Sequence, residues 1–109
     1  MAHAPVPARE AVRGTVPKMI EVSEKVIYGD VWERPGLSKR DRSLIVVASL
    51  ISQYRPEQLR GHLARALDNG VTKDEIAEII THMAFYSGWP GSMTAANIAR
   101  EVFEARGLT

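Results

Sequence analysis

Ser38-Lys39-Arg40-Asp41-Arg42-Ser43-Leu44-Ile45-Val46-Val47-Ala48-Ser49-Leu50-Ile51 is the stretch that decides the fold. Ser38 suits a helix N-cap, because its side-chain oxygen can accept from a first-turn N–H that has no partner inside the helix. Asp41 places negative charge where the helix dipole favours it. The helix opened there is expected to run to about Gln53. Its centre, Leu44 to Ile51, is apolar on almost every side, and a helix that is apolar all round must be buried all round. A chain of 109 residues buries only a modest fraction of its surface alone. The stretch therefore predicts helix-on-helix packing completed by a second subunit.

Downstream, Pro56 opens the next helix, with Leu59, Leu63, Ala66 and Leu67 as its buried stripe. Asn69-Gly70 ends it with residues that tolerate a left-handed backbone. Thr72-Lys73-Asp74-Glu75 has the spacing of a capping box. Ile76, Ile79, Ile80 and Met83 form the core face that follows, and Gly88-Trp89-Pro90-Gly91 breaks it. A last helix, about 92 to 106, carries Ala95, Ala96, Ala99, Val102 and Phe103, and Gly107 stops it. Upstream, Pro17 suits a first helical turn. Met19, Ile20, Ser23, Val26 and Ile27 continue one face to Tyr28-Gly29, and Val31 to Leu37 is a connection around the Pro35-Gly36 turn. Residues 1–16 read as an arm with one short helical turn near Ala8 to Arg13. The expectation is an all-α, single-domain bundle of five or six helices over residues 17–109, preceded by that arm, with no strand.

Composition narrows the function classes. Fourteen Lys and Arg against 13 Asp and Glu leave a formal charge of +1, which gives no global pull toward nucleic acid or acidic membranes. There is no cysteine, hence no disulfide, thiolate metal site or thiol nucleophile. The opening residues lack the apolar run of a signal peptide. No segment approaches the roughly 20 apolar residues that span a bilayer. A cytoplasmic protein without membrane partners is expected.

Several side chains are candidates for chemistry. His62 falls at the edge of the Leu59/Leu63/Ala66 stripe, where partial burial tunes a group that titrates near neutrality. Its plainer reading is a boundary histidine. Glu78, His82 and Tyr86 share a helix face at four-residue spacing, as an acid–base relay or as a solvated ladder. Arg34 and Arg42 flank the Pro35-Gly36 turn, and a guanidinium fork matches a carboxylate. Trp32 either lines a pocket beside them or packs its loop. His62 and His82 lie on different helices without a further ligand at diagnostic spacing, so neither a metal nor another cofactor is expected. Residues 57–87 superficially suit a helix-turn-helix. Its second helix would begin Lys73-Asp74-Glu75-Ile76-Ala77-Glu78, an acidic start that repels phosphates, so no nucleic-acid partner is expected.

One family resemblance rests on pieces in fixed order. These are Trp32 with Arg34-Pro35-Gly36-Leu37, then Arg42-Ser43-Leu44, and Leu59 with His62. Ala66-Leu67, Asn69-Gly70-Val71-Thr72 and Glu75-Ile76 follow, then Tyr86, Gly88 and Pro90. From about Tyr28 to Phe103 the chain resembles the carboxymuconolactone decarboxylase family. The resemblance implies the all-α alkylhydroperoxidase D-like fold and a homo-oligomer, a trimer or hexamer. Family peroxidases carry a Cys-X-X-Cys pair just before the histidine that His62 resembles, where this chain has Arg55-Pro56-Glu57-Gln58. That removes the peroxidase branch and leaves the lactone decarboxylase branch, from which His82 departs, since a glutamine is usual there.

The expected function is cofactor-free decarboxylation of a small carboxylated lactone or related oxoacid. His62, His82 and Tyr86 are the candidate catalytic residues, and Arg34, Arg42 and Trp32 the candidate substrate-binding residues. The alternative is a non-catalytic helical oligomer that binds a small molecule or plays a structural part.

Overall fold

A computed structural model describes residues 8–108, and every regular element among them is helical. The order is α1 (Ala8–Val12), α2 (Pro17–Val22), α3 (Lys39–Ser52), α4 (Pro56–Asp68), α5 (Lys73–Tyr86) and α6 (Trp89–Ala105). Helix α2 runs straight on into a π-helical segment, Ser23–Tyr28, and a single 3-10 turn, Val31–Glu33, follows. The all-α expectation holds. The start of the expected arm, residues 1–7, lies outside the described residues.

The chain divides after Gly36 into two compact units. In the first unit Arg13 is the tie. It pairs with Glu10 in α1, and its Nη1 reaches Glu24 Oε1 in the π segment at 2.7 Å. The Arg9 guanidinium lies 4.6 Å from the Tyr28 ring centroid. Tyr28 in turn stacks on the buried Trp32, with centroids 6.3 Å apart and planes at 22°.

The second unit is two helical hairpins, α3–α4 and α5–α6, packed on each other. Their ends are set locally. Ser38 Oγ accepts the Asp41 N–H at 3.0 Å. Thr72 Oγ1 accepts the Glu75 N–H at 3.1 Å, while Glu75 Oε1 accepts the Thr72 N–H at 2.9 Å, completing the capping box. The α3–α4 turn passes through Tyr54 at φ 54°, an uncommon backbone for a bulky residue. The α5–α6 break is narrower than expected. Gly88 alone takes a left-handed backbone, φ 112°, and α6 starts at once with Trp89. Pro90 sits in the first helical turn, where its missing N–H leaves no intrahelical bond unmade.

Leu59 and Leu63 of α4, Ile76 of α5 and Val47 of α3 are the largest fully buried side chains. Each stabilises the fold by about 1.5–3 kcal/mol relative to exposure. Ala66, Val71, Ile80, Ala95, Ala99 and Phe103 extend the same core. Of the α6 alanines, Ala95 and Ala99 are buried in this core and Ala96 is exposed. Surface ion pairs add links between the helices. Arg60–Glu101 at 2.7 Å and Arg106–Asp68 at 2.6 Å link α4 to α6, and Arg40–Glu75 links the starts of α3 and α5. Inside, Asn69 Nδ2 donates to the buried Ser43 Oγ at 3.0 Å, joining the end of α4 to the start of α3.

Helix α3 buries one face within the chain. Val47 and Ile51 are enclosed, Leu44 and Leu50 pack against the core, and Ile45 is 56% exposed. The helix read as buried all round is thus covered on one side only. Phe85, Tyr86, Trp89 and Met93, around the α5–α6 junction, are also exposed. No helix of the described residues is long and apolar enough to cross a membrane.

Candidate active site

The buried stripe of α4 places His62. Leu59, Leu63 and Ala66 face the core, and His62, three residues after Leu59, falls half-buried beside them. Burial pushes its imidazole below the usual histidine range, and the positive charge of Arg65 pushes the same way. The shift favours the neutral ring, in which one nitrogen can donate and the other accept. No hydrogen bond from the described residues engages it. A half-buried imidazole without an internal partner is available to a bound molecule.

His82 and Tyr86 come together on α5, with ring centroids 4.7 Å apart and planes at 31°. Both are exposed. His82 and Glu78 line a hollow of about 330 Å³ whose other walls are Ala48, Ile79 and Met83. Among the described residues, no hydrogen bond joins Glu78 to His82. His82 and Tyr86 thus form a ring pair, with the Glu78 carboxylate on the same hollow as His82. His62 is not among the described residues that line this hollow.

Arg42 is half-buried in the first turn of α3, beside the Ser43–Asn69 bond. Arg34 is exposed just after the 3-10 turn and belongs to the first unit, while Arg42 belongs to the second. Trp32 is buried and stacked on Tyr28, the packing reading of a lone tryptophan. Among the described residues, no three His, Asp or Glu side chains gather as metal ligands would.

Two residues went unmarked in the sequence. Arg65 lies three residues after His62 on the same helix face, a spacing that was there to be read. Ser92 is buried in α6 with its hydroxyl lacking a hydrogen-bond partner. Its only signal was a polar side chain at the head of an alanine-rich stripe.

The second unit is thus a double hairpin with a half-buried histidine at the edge of its core, and an imidazole so placed can take part in proton transfer or oxyanion stabilisation. Residues 17–101 match the carboxymuconolactone decarboxylase family, and the chain belongs to it. It is similar to the 4-carboxymuconolactone decarboxylase of Acinetobacter baylyi, with 46% identity over 81 residues, 74% of this chain and 60% of that protein. It is similar to a nitrosuccinic acid decarboxylase of Metarhizium robertsii, with 38% identity over 74 residues, 68% of this chain and 52% of that one. An uncharacterized 15.0 kDa protein of Paracoccus denitrificans shares 32% identity over 106 residues, 94% of this chain and 76% of that one. The chain thus spans between 52% and 60% of the length of the two decarboxylases. Those relatives place it in a family with decarboxylase members.

Proposed function

We propose that this chain is a decarboxylase that acts without a cofactor on a small carboxylated lactone or related oxoacid. The observation that carries the reading is His62, half-buried, with its imidazole pushed below the usual histidine range and with no hydrogen bond to it from the described residues, in a chain whose relatives include two proteins named decarboxylases. In such a reaction the bond to the carboxylate carbon breaks and CO2 leaves. The electron pair passes through the conjugated system onto the lactone carbonyl oxygen, and a proton then returns to carbon. The substrate supplies its own electron sink, so the protein need only bind carboxylate, stabilise the oxyanion and handle one proton.

A neutral imidazole keeps one N–H, which can donate a hydrogen bond to the developing oxyanion. We assign His62 that part or the proton transfer, and His82 and Tyr86 the pocket wall or relay. Arg42, in the same unit as His62, is assigned to a substrate carboxylate. The exposed Ile45 of α3 and the exposed Phe85 and Trp89 support a homo-oligomer, and a trimer or hexamer in the cytoplasm is our proposal for it. Those same exposed side chains favour a second reading, a non-catalytic oligomer that binds a small molecule. A screen of carboxylated lactones and oxoacids for CO2 release separates the two. Release above the buffer rate supports the enzyme, and tight binding without release supports the alternative.

A further inference from the structure

Helix α4 meets two neighbours, and its polar side chains divide between them. Arg60 and Asp68 turn to α6, where they pair with Glu101 and Arg106. His62, Arg65 and Asn69 follow one another at three- and four-residue steps, so they form a second stripe along the helix. Asn69 shows which way this stripe faces, because its Nδ2 donates to Ser43 Oγ of α3 at 3.0 Å. The stripe therefore runs along the α3 side of α4, where the end of one helix meets the start of the other.

That end of the seam is cationic. Arg65 lies in the last turn of α4, and Arg42 is the neighbour of Ser43 near the start of α3; both are half-buried. Lys39 and Arg40 precede Arg42, with Asp41 as the carboxylate among them, and Arg40 is held by Asp41 and by Glu75 of α5. The helix dipole accounts for a cation at the end of α4 but disfavours cations at the start of α3. Nor does the dipole call for burial, since an exposed side chain serves a helix end as well. His62 stands one turn in from this end. Burial does most to lower the pKa of its imidazole, and Arg65 is the charge that adds to the effect. A cluster of cations beside a half-buried ring attracts an anion.

We propose that Arg65 is a carboxylate-binding residue, holding the acid group of a small oxoacid or lactone acid beside the His62 ring. This rests on the reaction site proposed above and adds to it the residue that sets where the carboxylate lies relative to the imidazole. A guanidinium carries five N–H donors, so one edge grips a carboxylate while the others keep contacts within the protein. His62, three residues back on the same helix, is within reach of the same anion. The two groups are then linked. A bound carboxylate offsets the charge of Arg65 at the imidazole, so the His62 pKa rises toward the ordinary histidine range when the anion binds. Burial, the larger of the two causes, still holds it below that range. By reciprocity, carboxylates bind more tightly as pH falls through the His62 titration.

The test follows the His62 ring signals by NMR against pH. Laevulinate is the carboxylate probe and its uncharged methyl ester the control, at constant ionic strength. His62→Gln identifies the signal by its loss. Laevulinate should raise the His62 midpoint, and the ester should leave it in place. Arg65→Gln should raise the midpoint of the empty protein and abolish the further rise with laevulinate. It should also weaken laevulinate binding about ten- to a hundredfold, the contribution of a hydrogen bond to a charged group. Arg65→Lys keeps the charge without the fork, so it should hold the empty midpoint near the parent's and lose only part of the affinity. A merely structural role would move the melting temperature of these variants and leave the laevulinate-dependent midpoint alone. A parent midpoint indifferent to laevulinate would overturn the proposal, and so would a laevulinate response that survives Arg65→Gln. Should Arg65→Gln fail to fold, equal laevulinate affinity in Arg65→Lys and the parent would overturn it. None of these readings needs turnover. A linked titration without CO2 release from any carboxylated lactone would sink the decarboxylase reading and leave the pair standing. CO2 release by a protein whose His62 ignores laevulinate would do the reverse.

Discussion

Replacing His62 by glutamine separates chemistry from stability unusually well in this protein. The imidazole is half-buried, and the described residues supply it no hydrogen bond. Its removal therefore breaks no internal bond, and glutamine fits at a position that already touches solvent. Stability above pH 6.5 should change by no more than about 0.5 kcal/mol, the usual range for such a position. Turnover should fall by about 10²–10⁴-fold, the contribution of a positioned acid or base. The pH behaviour gives a third reading. Because His62 is held below the ordinary histidine range in the folded protein, the unfolded chain takes up that proton first as pH falls. Stability is then unaffected above the unfolded value and declines as pH drops through it toward the folded one. His62→Gln should remove this part of the acid sensitivity, so its melting temperature should fall less than the parent's below pH 6.5. The parent's rate should show an acid limb with an apparent pKa below that of free histidine. The assay is CO2 release across pH on an active carboxylated lactone, with thermal melting of both proteins in the same buffers. A variant that melts like the parent at neutral pH and also turns over like it would refute the role given to His62 and move the proton chemistry to His82 or Tyr86.

Ile45→Asp, which puts a charge on the uncovered face of α3, should convert an oligomer seen by light scattering into a 12.1 kDa monomer; a monomeric parent at micromolar concentration would end the oligomer proposal. Thr72→Ala removes one half of the capping box and should cost about 1 kcal/mol in chemical denaturation, so an unchanged midpoint would show that the cap contributes nothing. Leu63→Ala, at a site with no exposure, should cost about 2–5 kcal/mol, and a loss below 1 kcal/mol would mean that the α4 packing is misassigned. Peroxide reduction with dithiol reductants should not exceed the buffer blank, since the chain has no cysteine to supply the thiolate; turnover there would overturn that exclusion.

What could be read from the sequence was what short-range chemistry decides. Ser38 with Asp41 and Thr72 with Glu75 are bonds across three residues, so spacing alone fixes them. Pro56 at a first turn and Gly70 at φ 95° follow from what each residue's own backbone permits. The stripe of α4, and with it the boundary position of His62, follows from helical periodicity. The family was legible for a related reason, as ordered short motifs survive without knowledge of packing. The tertiary structure alone decided which side of α3 is covered, because Leu44 to Ile51 is apolar around the whole helix and no sequence pattern distinguishes Val47 from Ile45. It alone brought Asn69 to Ser43, 26 residues apart, and left the Ser92 hydroxyl buried. These depend on how two hairpins meet, and that is set by the summed contacts of a core assembled from four helices rather than by any one segment.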